Sequence, residues 1–179
     1  MRLSVVERAL WCAVAASAIV LLSVHVFERF GGYVPCELCL DQREAHWTAL
    51  GVAGAGLFSA IVLNAHLAAA GAAGAAALVY AISAGLAFYH TGVEYHFWPG
   101  PQNCSGGASL SDLGALASAL TDEPAAPSCA DAPWRLFGIS MAGYNLLISA
   151  GLFALMFSAA FTVAQQARRE RRPLAGDPV

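Results

Sequence analysis

Cys36 and Cys39 stand two residues apart in the stretch Pro35-Cys36-Glu37-Leu38-Cys39-Leu40-Asp41-Gln42-Arg43, immediately before a long apolar run. A dithiol at this spacing can close to a disulfide and open again. Cys104 and Cys129 form a second, wider couple with 24 intervening residues in a polar stretch. Thiol–disulfide exchange is the ordinary route by which electrons pass between such couples.

A Cys-x-x-Cys placed at the start of a helix meets unsatisfied backbone amides and the positive end of the helix dipole, and both favour a thiolate. Arg43 follows Cys39 by four residues, which puts it on the same helical face about 6 Å up the axis. From there it can stabilise a Cys39 thiolate and attract an anionic group on a bound ligand. Glu37, Asp41 and Glu44 oppose this charge. Cys36 is nearer the preceding loop and is the expected partner in exchange. As a mere staple, so short a disulfide loop would gain little stability. For Cys104 and Cys129 the balance is different, because a structural disulfide over that span would contribute a few kcal/mol. The redox reading of this second couple rests on its sharing a compartment with the first.

The other candidate groups are weaker. Cys12 lies alone in the first apolar run and reads as a small buried hydrophobe. The histidines His25, His46, His66, His90 and His96 fall near helix ends, where interfacial placement is the default. His46, one turn from Gln42 and close to Arg43, is the best candidate among them for a ligand contact. Glu94, between His90 and His96, reads as solvated. Asn103-Cys104-Ser105 matches a glycosylation pattern that we take as coincidental.

The elements that must position these residues are membrane helices. Hydrophobic residues make up 58% of the 179, charged residues 12%, and lysine is absent, against about 25% charged in globular chains. Ala9 to Phe27, Ala45 to Val93 and Leu136 to Ala167 carry no Asp, Glu, Lys or Arg. Since about 20 apolar residues span a bilayer, the first and third runs cross once each and the middle one twice, turning at Asn64-Ala65-His66. The expectation is an all-α integral membrane protein: one domain over 1–179, a bundle of four transmembrane helices at about 9–28, 44–64, 70–91 and 137–163. A short outer loop precedes helix 2, and a long outer loop of about 92–136 joins helices 3 and 4. The first run resembles a secretory signal in its Arg2 and Arg8 and its small residues, but its core exceeds the roughly 7–15 residues of a signal's apolar region. It is read as a retained anchor.

Arg2 and Arg8 precede helix 1, and Arg168, Arg169, Arg171 and Arg172 follow helix 4. Positive segments stay in the cytoplasm, so both termini are expected inside and both cysteine couples outside, where disulfides persist. Trp98 and Trp134 flank the long loop and read as interfacial anchors. Trp98-Pro99-Gly100-Pro101 gives a rigid turn before Cys104, and Pro124 to Ser128 an extended lead into Cys129. Leu110, Leu113, Leu116 and Leu120 lie near helical spacing and suit either a short helix on the membrane or a stripe packed on the bundle. Gly51, Gly54 and Gly56, with the alanine-rich stretch from Ala68 to Ala77, are expected to let helices approach closely in lipid.

These residues resemble the DsbB family of inner-membrane disulfide bond formation proteins. The resemblance covers nearly the whole chain: four helices, the Cys-x-x-Cys with arginine four residues on, and the outer cysteine pair. It extends to Ala87-Phe88-Tyr89-His90-Thr91-Gly92-Val93-Glu94 leading through Trp98-Pro99-Gly100-Pro101 to Cys104, and to Cys129 followed by Pro133-Trp134-Arg135. It implies disulfides Cys36–Cys39 and Cys104–Cys129 in a bacterial inner-membrane enzyme that reoxidises a periplasmic DsbA-like, thioredoxin-fold oxidase and passes the electrons to membrane quinone, ubiquinone or menaquinone. Carried over by position, Cys104 forms the mixed disulfide with the partner, Cys129 relays to Cys36, and Cys39 reduces quinone beside Arg43. A histidine near the outer end of helix 3 serves the quinone site in some members, but neither His90 nor His96 registers cleanly with it.

The residues themselves point the same way. A surface dithiol needs an electron acceptor, and with no G-x-G-x-x-G fingerprint after a strand a lipid-soluble one is the economical choice. No metal ligand set and no nucleic-acid partner are expected. The competing classes are a related thiol oxidase with a dedicated partner, a vitamin K epoxide reductase-like enzyme (disfavoured because the Cys-x-x-Cys opens helix 2), a haem b carrier using facing histidines, and a metal-binding membrane protein.

Overall fold

The computed structural model describes residues 4–101 and 127–170. Four helices dominate: α1 Val5–Gly31, α2 Glu37–Ile61, α3 His66–Glu94 and α4 Met141–Glu170. Ser4 begins α1 with a reciprocal cap, its side chain accepting from the Glu7 amide while the Glu7 carboxylate accepts from the Ser4 amide. Gly32, at φ 69°, ends the helix in the left-handed conformation that glycine adopts at no steric cost. The expected turn between α2 and α3 is present at Asn64, which takes φ 52°.

Three of these helices, α1, α3 and α4, are long and apolar enough to cross a membrane. The first half of α2 carries Glu37, Asp41, Gln42, Arg43, Glu44 and His46, so α2 is not a clear span by hydropathy. It packs between α1 and α3, and α4 closes the bundle against α3 and α1. The observed helices run a few residues beyond the expected limits, except at the end of α2, which stops at Ile61 short of the expected 64, and at the start of α4. There a two-residue hairpin intervenes, β1 Arg135–Leu136 paired antiparallel with β2 Ile139–Ser140, and its turn residues Phe137 and Gly138 both have positive φ. Ser140 then starts α4, its hydroxyl accepting from the Gly143 amide and donating to the Glu94 carboxylate at the end of α3.

The core is built from small residues: Ala9, Ala13, Ala49, Ala53, Ala73 and Ala76 are buried, while Leu22, Phe58, Leu78, Ile82 and Phe157 face outward. Lipid is as apolar as leucine, so large apolar side chains gain nothing by turning inward, and small ones allow backbone contact. Only part of the glycine expectation holds. A Cβ on Gly56 would lie 2.7 Å from Ala72 Cβ and 3.1 Å from Leu10 Cδ1, whereas Gly51 and Gly54 face open space. Cys12 is exposed rather than buried, because its face of α1 turns away from the bundle. Cys104 and the leucine stripe at 110–120 lie outside the described residues.

Gly56→Ala should therefore push α2 away from α1 and α3, at a cost of about 1–3 kcal/mol, and lower the thermal unfolding midpoint in detergent. Gly51→Ala and Gly54→Ala should match or exceed the parent, since alanine is the better helix former. Equal midpoints for all three would contradict the close approach at Gly56.

Candidate functional site

Cys36 is the N-cap residue of α2, with extended backbone, and its carbonyl accepts from the amides of Cys39 and Leu40. Cys39 falls in the first turn. This geometry brings the two Sγ atoms to 2.6 Å, adjacent but not closed to a disulfide, whose bond is roughly 2.05 Å. Cys36 and Cys129 are both buried and belong to one packed cluster with Leu38 and Val93, against which Cys39, Tyr89, Trp98 and Ala130 rest. Cys129 is disulfide-bonded. The segment before the hairpin and the start of α2 thus each contribute a cysteine to one small apolar nucleus.

Trp98 closes this nucleus from the side. Its indole stacks on Tyr89 at an interplanar angle of 4°, and Nε1 donates to the Tyr89 carbonyl at 2.8 Å. The ring occupies the space where a Cβ on Gly92 would lie, so glycine is required there. Trp134 packs on Phe27 and Tyr144 at the opposite rim. Both tryptophans sit at the ends of α3 and α4 as the sequence implied, and they also wall the site.

Next to the dithiol lies a cavity of about 440 Å³, bounded by Val20, Val24 and Phe27 of α1 and Met141, Asn145 and Ile148 of α4. Cys36, Cys39, Arg43 and His46 line it from α2, and His90 and Glu94 from α3. Arg43 is present as expected, but not as a free charge: its Nη1 lies 2.7 Å from Glu28 Oε2 of α1. Glu37, Asp41 and Glu44, expected to oppose it, are on the exposed side of α2.

His46 is 1% exposed, deeper than an interfacial placement. Its Nδ1 lies 3.1 Å from Ser17 Oγ and its Nε2 2.7 Å from Asn145 Oδ1. Ser17 is 2.8 Å from the Tyr80 hydroxyl, Asn145 Nδ2 donates to Gln42 Oε1 at 2.7 Å, and Gln42 Nε2 lies 2.8 Å from His90 Nδ1. His90 Nε2 is 3.7 Å from Cys36 Sγ. The position-by-position carry-over left His90 out, yet the fold sets it against the dithiol. Glu94, read as solvated, is buried, bonded to Ser140 and 3.9 Å from His90. His96, by contrast, is exposed in a turn at φ 59°. The missed residues left one sequence signal: Gln42 and His46, His90 and Glu94, and Asn145 and Ser149 are pairs four apart in apolar helices, where polar groups face the bundle.

The two thiols are driven apart in acidity. Donation of one S–H to the other sulfur, together with burial, pushes the Cys36 thiol up. The S–H donated by Cys36 pulls Cys39 down, and the Arg43 charge acts in the same direction. Cys39 is therefore the first of the reduced pair to ionise. Since its pKa is lowered, the thiolate is present above that lowered value and is lost only as pH falls through it. Iodoacetamide at pH 7 should thus modify the reduced protein at Cys39 several-fold faster than at Cys36, with the difference vanishing on acidification. Cys36→Ser, which replaces the S–H by a hydroxyl farther from the sulfur, should move the Cys39 midpoint upward. Preferential modification of Cys36 would reverse the assignment.

The geometry is that of a dithiol at the start of a bundle helix, packed beside a third cysteine and bordering an apolar cavity. The family model described as "Disulfide bond formation protein DsbB" matches residues 7–159. No curated protein and no solved structure matches the chain. The family match takes in every helix, both cysteines of the dithiol, Arg43, Cys104 and Cys129, and the chain belongs to the DsbB family of disulfide-forming membrane oxidoreductases.

Proposed function

We propose that this protein oxidises a periplasmic DsbA-like, thioredoxin-fold dithiol protein and delivers the electrons to membrane quinone. The observation that carries the reading is that Cys36 and Cys129 share one packed cluster while Cys39 and Arg43 line the adjoining cavity. In this scheme both termini are cytoplasmic and both couples periplasmic. Arg8 and Arg168 lie at the bundle end opposite the cysteines, in keeping with that orientation.

A partner thiolate attacks Cys104 of the Cys104–Cys129 disulfide and releases the Cys129 thiolate. The partner's second thiolate then attacks the mixed disulfide, leaving with the partner oxidised and Cys104 reduced. Cys129 attacks Cys36 of the Cys36–Cys39 disulfide and displaces the Cys39 thiolate, and Cys104 resolves that bond to restore its own disulfide with Cys129. Each turn moves two electrons inward, with the protons of the consumed thiols released. Quinone supplies the terminal two-electron, two-proton acceptance, after which Cys36 and Cys39 are again a disulfide.

The residues present suit a quinone. Apolar side chains of α1 and α4 match a lipid-soluble ring and tail, while Arg43 and His90 offer donors for ring oxygens; His46 lines the wall with both nitrogens already bonded. Arg43 holds the Cys39 thiolate and favours negative charge developing beside it, a role a guanidinium can keep at any relevant pH. A haem reading is disfavoured by the occupation of both His46 nitrogens by Ser17 and Asn145. A metal reading has some support, since ligand atoms of Cys36, Cys39 and His90 lie within 4.8 Å of one another. Elemental analysis of purified protein separates the two: stoichiometric metal together with no quinone-dependent thiol oxidation would favour it.

The direct test is quinone-dependent oxidation of a reduced thioredoxin-fold protein by the purified enzyme. Arg43→Met should still insert but lose tenfold or more of turnover at limiting quinone, about 1.4 kcal/mol or larger. Unchanged turnover would remove Arg43 from the quinone site. For the entry of electrons, Cys129→Ser should accumulate a reducible covalent complex with oxidised partner. Equal trapping by Cys104→Ser would contradict the assignment of Cys104.

A further inference from the structure

The amides that link α2 and α4 determine which nitrogen of His90 carries its proton. Gln42 Nε2 lies 3.0 Å from the Leu38 carbonyl, and a carbonyl can only accept. The amide nitrogen must therefore face Leu38, and the amide cannot be turned over without setting two oxygens against each other. The other end agrees, because Gln42 Oε1 accepts from Asn145 Nδ2, and Asn145 Oδ1 is held in place by His46 Nε2 and the Ser149 hydroxyl. The group 2.8 Å from His90 Nδ1 is consequently an N–H donor. Nδ1 is the acceptor, and a neutral His90 carries its proton on Nε2.

Nε2 is the nitrogen that faces the chemistry. Cys36 Sγ lies 3.7 Å away and Glu94 Oε1 3.9 Å away. A backbone hydrogen bond also joins the ring to Cys129, and a carbonyl there calls for a proton on the ring. The same logic runs to the far end of the chain of contacts. His46 Nε2 donates to Asn145 Oδ1, so its Nδ1 accepts from Ser17 Oγ.

We propose that Gln42, held by the Leu38 carbonyl and by Asn145, is a positioning residue that locks His90 as its Nε2–H tautomer, making the ring a hydrogen-bond donor toward the dithiol and the adjoining cavity. In this state Nε2 has no lone pair with which to take the Cys36 proton or to bind a metal. The inference rests on the reading of Cys36 and Cys39 as the redox pair, but the tautomer itself does not depend on quinone or on a thiol partner.

Among the described residues, the charged and titratable groups lining the cavity beside the dithiol are Glu28 from α1, Tyr33 from the loop before α2, Arg43 and His46 from α2, His90 and Glu94 from α3, Asp131 from the segment before the hairpin, and Tyr144 from α4, together with the two cysteines. Of these, Gln42 is hydrogen-bonded to His90 alone; its removal also frees Asn145 Nδ2, and the His90→Phe background separates that effect from the tautomer. The experiment is nitrogen NMR of the histidine side chains in the full-length, detergent-solubilised protein, with His90→Phe used to assign the His90 signals. At neutral pH the expected signature is a protonated Nε2 and an unprotonated Nδ1. In Gln42→Met, which keeps the length of the side chain and removes its donor, the Nδ1–H form should appear. Cys36 alkylation in the reduced variant should then rise several-fold at pH 7, because Nε2 can act as a base, and adding His90→Phe should cancel the rise. A merely structural role for Gln42 would not produce a gain that depends on His90. A native His90 with the proton on Nδ1 overturns the proposal, and so does a Gln42→Met spectrum unchanged from the parent. Neither result bears on quinone-dependent oxidation, which would succeed or fail separately.

Discussion

Inside a bilayer no water replaces a lost hydrogen bond, so every polar side chain that enters the bundle must find a partner on another helix or on its own backbone. Tyr80, Ser17, His46, Asn145, Gln42 and His90 meet this demand as one continuous chain that touches all four helices. Among the described residues no buried side-chain nitrogen or oxygen is left without a partner. Single interhelical hydrogen bonds in membranes contribute only about 0.6 kcal/mol on average. Their larger effect here is on register: rotating or sliding any one helix would break bonds to two others. The alanine-rich core gives the close approach but little to fix rotation, since small side chains interlock weakly. The polar chain supplies that specificity, and it ends at the dithiol.

The site is thus closely packed on one side and open on the other. Cys36 is fixed by the α2 N-terminus, by the cluster with Val93 and Cys129, and by the Trp98 wall. Toward α1 and α4 it opens onto the cavity. Charge is arranged to match. The Glu28–Arg43 ion pair spans α1 and α2 at the cavity wall, with the Arg43 side chain 15% exposed. Such a pair keeps the guanidinium oriented at tolerable desolvation cost while leaving its other donors for an anion. The splitting of the two thiol acidities follows from the same geometry, because the buried sulfur keeps the proton and the sulfur near Arg43 holds the charge.

Much of this was legible in the chain. The charge-free runs, the turn at Asn64, the position of Cys36 and Cys39 at the start of a helix and the placement of Arg43 one turn on all follow from periodicities and end signals that act over a few residues. So does the placement of Trp98 and Trp134 near helix ends. These features depend on local backbone physics and on the length of apolar segment needed to cross lipid, both of which a linear sequence carries directly.

Other features required the fold. Sequence alone placed His90 near a helix end and Glu94 in solvent, whereas the hairpin at 135–140 brings Ser140 onto Glu94 and the crossing of α2 with α3 brings Gln42 onto His90. It gave no means of distinguishing Gly56, where an added Cβ would run into Ala72, from Gly51 and Gly54, where it would meet open space. Nor did it pair Asn145 with Gln42, residues 103 positions apart. Each of these depends on which face of a helix meets which neighbour. In a bundle where three of the helices are apolar over most of their length, that choice leaves little periodic trace and is made by long-range packing and hydrogen bonding.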